Sequence, residues 1–139
     1  MKFDHIGVVT ASLDEGRAFL TRVLKISRWT QEFVDPGIGV AVQFGMGEQG
    51  PCYEIIAPLG QSSPVATALR TGKNILNHVA YLVEDLGRAA QELREQGCFP
   101  VADAQPAVAY GGQRVQFFIC PMKFMIELIE KIDHQHAYQ

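Results

Sequence analysis

Short apolar runs rich in β-branched residues punctuate the chain, and twice the spacing changes from period two to helical. KFDHIGVVT predicts a strand. SLDEGRAFLTRVLKI predicts a helix: Ser12 is placed to N-cap, Asp14 and Glu15 fall in the first turn, and Leu13, Phe19, Leu20, Val23 and Leu24 form an apolar stripe. SRWTQEFV, GVAVQFGM and PCYEIIAP follow as strands, separated by the turns DPG and GEQG. LGQSSPVATALRTGK is a connection, in which Ser63 before Pro64 predicts a short helix through Leu69. The order then returns. ILNHVAYLV is a strand, and EDLGRAAQELREQG a helix ended by Gly97. FPVADAQPAVA is a broken, proline-bearing edge segment, and RVQFFIC and FMIELIEKI are strands.

Each half therefore reads β-α-β-β-β, and a single offset relates them. His5 and His78, Leu13 and Leu86, Leu20 and Leu93, and Glu54 and Glu127 all lie 73 residues apart. One such match is cheap. Four spread over strand, helix and distant strand point to a duplicated unit. The predicted organisation is a single α+β domain with module one at 1–60, a connection at 61–74, module two at 75–132 and a tail at 133–139.

Alternation along the strands puts one histidine and one glutamate of each half in an otherwise apolar run. Phe3, His5 and Gly7 share a face, as do Cys52, Glu54 and Ile56. Leu76, His78 and Ala80 form the equivalent set in the second half, with Met125, Glu127 and Ile129. Taken singly, a strand histidine is more often a hydrogen-bonded core residue than a ligand. A glutamate buried alone in such a run would be costly. Two neutral imidazoles and two carboxylates facing one another would remove that cost by binding a divalent ion. Four N/O donors suit an octahedral ion with two open positions, such as Zn, Ni, Co, Mn or Fe(II).

Composition narrows the partners. Net charge is −3 with no Lys/Arg cluster, which argues against nucleic acid or an anionic membrane. No apolar run approaches a membrane span, and MKFDHIGVV lacks the features of a signal peptide, so the expected location is the cytoplasm. Cys52, Cys98 and Cys120 are odd in number and widely spaced, which predicts small packing residues rather than disulfides or a thiolate metal site.

The stretch YEIIAPLGQSSPVATALRTGKNILNHVAYLVEDL, with FDHIGVVT before it and FMIELIE after it, resembles the vicinal oxygen chelate superfamily. That superfamily includes glyoxalase I, extradiol dioxygenases and methylmalonyl-CoA epimerase. The resemblance covers nearly the whole chain and implies two pseudo-symmetric βαβββ modules forming a curved mixed sheet around a metal site. Carried over residue by residue, it implies His5, Glu54, His78 and Glu127 as ligands. The epimerase pattern fits better than the glyoxalase I pattern, because no asparagine–tryptophan pair follows Glu54.

Three positions depart from the epimerase pattern. Gly37 and Ile38 stand where that pattern has an acid–base glutamate, and Asp35 on the DPG turn is the candidate substitute. Asn77 replaces a second histidine. Phe124 replaces a small residue. Gln43 is a candidate hydrogen-bond donor to substrate, and Arg70, Lys73 and Arg114 are candidate anion anchors. Glu130 and Lys131 read as surface residues. DHQHAYQ, with His134 and His136 at i, i+2, reads as a frayed tail with weak metal affinity.

The implied activity is a metal-dependent isomerase or lyase that moves an α-proton through an enolate. Glu127 acts as base and the substrate is an acyl thioester, as in the epimerases. A lactoylglutathione lyase is the alternative of the same class, and a non-catalytic small-molecule binder of the same fold the alternative of another class. An extradiol dioxygenase is disfavoured by the fourth ligand, Glu54. A small-molecule substrate is the expected partner, with a homodimer through an edge or helix contact as an expected assembly. The metal, and the choice of coenzyme A or glutathione as handle, stay open at this stage.

Overall fold

The computed structural model describes residues 1–139, in ten strands and three α-helices. The strands are β1 (Lys2–Val9), β2 (Arg28–Trp29), β3 (Phe33–Asp35), β4 (Val40–Met46), β5 (Tyr53–Pro58), β6 (Leu76–Leu82), β7 (Phe99–Pro100), β8 (Gln105–Pro106), β9 (Arg114–Ile119) and β10 (Met125–Ile129). The helices are α1 (Leu13–Val23), α2 (Ala66–Thr71) and α3 (Leu86–Glu95). The α+β class with mixed strand pairing is as expected. The chain has two compact units. One comprises His5–Asn77 with Gln135–Gln139, and the other Met1–Asp4 with His78–His134.

In the first half the strand order is β2-β4-β5-β1, with β3 also on β4; β1 and β5 run parallel and the rest antiparallel. The second half repeats this as β6-β10-β9-β7, with β8 on β9 and the parallel pair β6/β10. The repeat extends to register. Gly7 lies opposite Glu54, and Ala80 opposite Glu127, so both members of the second pair are displaced by the same 73 residues. SRWTQEFV, expected as one strand, is two: β2 ends at Trp29, and β3 begins at Phe33.

The starts of α1 and α3 carry side-chain caps. Ser12 accepts from the backbone N–H of Glu15 at 3.2 Å, and Asp85, 73 residues on, accepts from Arg88 at 3.0 Å. Gly97 has φ 86° just past α3, the left-handed conformation that favours glycine. The α1 stripe is narrower than expected. Leu13, Gly16 and Leu20 are buried, whereas Phe19, Val23 and Leu24 are exposed. Gly16 lets the first turns of α1 close on Thr10, the residue after β1: an added Cβ would lie 2.9 Å from Thr10 Oγ1. The α2 start also differs. Val65 occupies the N-cap with no side-chain bond, so Ser63 is not the cap; its buried hydroxyl has no hydrogen-bond partner.

Helices α1 and α3 each pack on one face of the strands of their own half. Leu13, Leu20, Ile26, Ile55 and Ala57 form the core of the first half. Leu86, Ala89, Ala90, Phe118 and Leu128 form that of the second, with Cys98 and Cys120. The three cysteines are buried and none forms a disulfide, in keeping with the packing role expected of them. Burial pushes the Cys98 thiol up, with Cys120 adding to the shift, which suppresses thiolate chemistry. No helix is long and apolar enough to cross a membrane.

Candidate metal centre

Strand geometry places each expected ligand. In β1, His5 and Gly7 project from one face, and Gly7 lies opposite Glu54 in β5. Phe44 in β4 is the cross-strand partner of Glu54 on its other side. The result is a compact group: His5 Nε2 stands 3.4 Å from Glu54 Oε1, and the Phe44 ring meets the His5 ring edge-on at 5.3 Å. The second half builds the same group. His78 Nε2 stands 3.2 Å from Glu127 Oε1, and Phe117, cross-strand partner of Glu127, meets the His78 ring edge-on at 5.0 Å.

All four polar side chains are buried: His5 is 0% exposed, His78 4%, Glu54 7% and Glu127 5%. Burying a carboxylate is costly unless a positive charge and good donors accompany it. An imidazole at 3.2–3.4 Å can supply that only when protonated. A divalent ion supplies it with the imidazoles neutral. Donor atoms bound to one ion at about 2.0–2.2 Å are close neighbours, and these His–Glu separations suit such an arrangement. His5 with Glu54, and His78 with Glu127, are thus each a buried nitrogen–carboxylate pair, and the donor chemistry of each fits a divalent ion.

Other candidates have structural duties. Gln43 does not share the face of Glu54. It alternates with Phe44 and points to the α1 side, where its Oε1 accepts from Arg17 at 2.7 Å and its Nε2 donates to the Thr30 carbonyl at 2.7 Å. Gln116, 73 residues on, likewise donates to the Ala102 carbonyl at 3.0 Å. Both glutamines tie an outer segment to the sheet, so the substrate role expected of Gln43 is not supported. Gln43→Leu will therefore lower stability by about 1–3 kcal/mol, through the unsatisfied Thr30 carbonyl and Arg17. Urea unfolding measures this, and turnover will be unchanged.

Asp35 lies on the face of Phe44 and Glu54, because it pairs with Val40 and the two strands alternate in step. It sits about four residues along the strands from Glu54, roughly 13 Å by strand rise. Its Oδ1 accepts from the Ile38 N–H at 3.1 Å, closing the turn. Arg114 is committed to Glu130 through three contacts of 3.1–3.2 Å. Glu130 is half-buried rather than surface, and accepts from the Leu86 N–H at 2.7 Å, at the start of α3. Arg70 and Lys73 are exposed, and Arg70 bonds Thr67 at 3.2 Å. Asn77 donates to the Asn74 carbonyl at 3.2 Å, and Phe124 is 42% exposed.

Sequence reasoning missed Phe44 and Phe117, although they too are 73 residues apart. It also read the C-terminal tail as frayed. Instead, Thr30 and Tyr138 form an antiparallel bridge, and the His136 ring stacks on Phe44 at 4.2 Å.

A model of the family described as Glyoxalase/Bleomycin resistance protein/Dioxygenase superfamily matches residues 4–117. The uncharacterized protein YqjC of Bacillus subtilis (strain 168) is 30% identical over 97% of this chain and 96% of its own. The ethylmalonyl-CoA/methylmalonyl-CoA epimerase of Cereibacter sphaeroides is 26% identical, over 93% of this chain and 95% of its own. Among solved structures, methylmalonyl-CoA epimerase from Mycobacterium tuberculosis superposes with a TM-score of 0.73 at 25% identity, over 92% of this chain and 86% of that one.

Proposed function

The chain belongs to the Glyoxalase/Bleomycin resistance protein/Dioxygenase superfamily, and from that premise we propose that it is a divalent-metal-dependent epimerase of an acyl thioester, with His5, Glu54, His78 and Glu127 holding one ion. One observation carries the reading: each half places a buried histidine against a buried glutamate in the same parallel register. Duplicated pairs of this kind offer two neutral nitrogens and two negative oxygens, which balance a 2+ charge. The likeness to an ethylmalonyl-CoA/methylmalonyl-CoA epimerase along 93% of the chain supports the acyl thioester as substrate class.

When bound, the ion supplies Lewis acidity, polarising the thioester carbonyl so that the neighbouring C–H becomes acidic. The chain's own residues do the rest. His5 and His78, fixed by edge-on phenylalanines, hold the donor geometry without adding charge. Glu127 removes the α-proton, as a carboxylate within reach of the reacting carbon can. Epimerisation then needs a proton delivered to the opposite face. We assign that delivery to Glu54, the counterpart of Glu127 in the first half, because the Asp35 carboxylate is engaged in its turn. The aromatic and apolar neighbours of both glutamates limit water, which strengthens each electrostatic interaction.

Isotope exchange tests this. Protein loaded with Co²⁺ and incubated with methylmalonyl-CoA in D₂O will incorporate one deuterium at the α-carbon, read by mass spectrometry. Absence of exchange, with turnover of a glutathione hemithioacetal to the 2-hydroxyacyl thioester, would move the chain to the lyase class. Inertness toward both would support a binding protein of the same fold.

A further inference from the structure

The five C-terminal residues group with the first half of the chain, and His136 among them stacks on Phe44, the cross-strand partner of Glu54. Their docking is built, not incidental. Tyr138 bridges Thr30 as an antiparallel partner, and the Gln139 N–H donates to the Trp29 carbonyl at 2.8 Å. The Tyr138 hydroxyl donates to Cys52 Sγ at 3.2 Å, and the Arg28 guanidinium lies 5.2 Å from the centre of the Tyr138 ring. Cys52 shares its strand face with Glu54 two residues on. Residues 134 to 139 alternate between half-buried and exposed, as an edge strand does, with His134, His136 and Tyr138 turned inward.

That alternation brings His136 to the His5 group. Its ring stacks on Phe44 with centroids 4.2 Å apart and an interplanar angle of 28°, and Phe44 is itself packed edge-on against His5. A ring nitrogen of His136 lies within 4.8 Å of one of His5, and an oxygen of the buried Asp4 carboxylate, which accepts from the Tyr110 hydroxyl, lies within the same distance of both. His5 is wholly buried and turns Nε2 toward Glu54, so its Nδ1 must be satisfied from within the protein. A histidine that binds metal is oriented through its second nitrogen, and the partner of that nitrogen controls both ring angle and donor strength.

We propose that His136 is a positioning residue for His5, carried to it by the C-terminal strap, and that it raises the affinity of the first half for the ion. The inference rests on the metal reading given above. It assigns to the tail a polar role at the ligand, beyond simple cover of an aromatic surface.

The test uses Co²⁺ as probe, with affinity measured by chelator competition and the visible spectrum of the bound ion. Three proteins are compared: the whole chain, His136→Phe, and the chain ending at His134. His136→Phe keeps an aromatic ring on Phe44 and removes only the nitrogens. The expected result is a Co²⁺ affinity lower by about ten-fold or more in both variants, with an altered spectrum, as loss of an outer-shell partner typically produces. The metal-free melting temperature of His136→Phe will match that of the whole chain. Retention of affinity within about two-fold in His136→Phe would overturn the proposal, leaving the ring as packing. A loss of affinity that tracks a lower metal-free melting temperature would overturn it as well. Failure of the whole chain itself to bind Co²⁺ would overturn the metal reading and this inference together, whereas binding that is indifferent to His136 removes only the latter.

Discussion

Glu127→Gln will fold normally and lose α-proton exchange by about 10²- to 10⁴-fold, the usual scale for removing a positioned general base. The substitution is isosteric, and Glu127 sits mid-strand between Ala80 and Phe117 in register, so nothing in the packing changes. Its amide oxygen can still face His78 Nε2, which now lies 3.2 Å from Oε1. What disappears is a negative charge and a basic oxygen. The first weakens the balance of the donor set against a 2+ ion, and the second removes the proton acceptor. Measuring exchange at saturating Co²⁺ separates the two, because saturation restores occupancy but not basicity. Wild-type exchange in Glu127→Gln would remove Glu127 from the mechanism.

Metal will stabilise the fold by a large amount, and the effect will vanish in His78→Ala. At a free ion concentration of about 1,000 times Kd, linkage gives about 4 kcal/mol. For a chain of this size that corresponds to a rise of roughly 14 °C in melting temperature. Two buried carboxylates gain a full counter-charge, and two buried imidazoles gain a ligand role that needs no proton. Removing His78 leaves Glu127 with its charge and no nitrogen beside it. Thermal unfolding of both proteins, with and without Co²⁺, measures the difference. An equal rise in His78→Ala would place the ion elsewhere on the molecule.

The duplicated core of this design is legible in the sequence because duplication leaves a fixed offset. His5 with His78 and Glu54 with Glu127 announce two equivalent strand pairs, and the parallel registers match them. The same offset also carries Phe44 to Phe117 and Gln43 to Gln116. Those pairs were readable in principle. A phenylalanine in an apolar strand, however, does not announce which face it lines, and a polar residue such as Gln43 does not announce its partners, which here are Arg17 and the Thr30 carbonyl.

Other features depend on tertiary contacts that local pattern does not encode. The Phe19, Val23 and Leu24 positions continue a helical apolar spacing, yet α1 ends at Val23 and its buried contacts run through Leu13, Gly16 and Leu20. Trp29 lies against Gly45, where an added Cβ would come within 2.5 Å of the indole; only the three-dimensional pairing of β2 with β4 reveals why that glycine is there. The segment DHQHAYQ has no apolar alternation to mark a strand. Its extended form comes from an edge, at Trp29 and Thr30, that lies more than a hundred residues earlier.

If His5, Glu54, His78 and Glu127 hold one ion as proposed, metal stoichiometry will reveal it. The protein is prepared without an affinity tag, loaded with Co²⁺, desalted and submitted to elemental analysis beside the His5→Ala/His78→Ala double variant. The parent is expected to hold about one ion per chain and the variant close to none. Two ions per chain, an ion retained by the variant, or a parent that holds none would each contradict it.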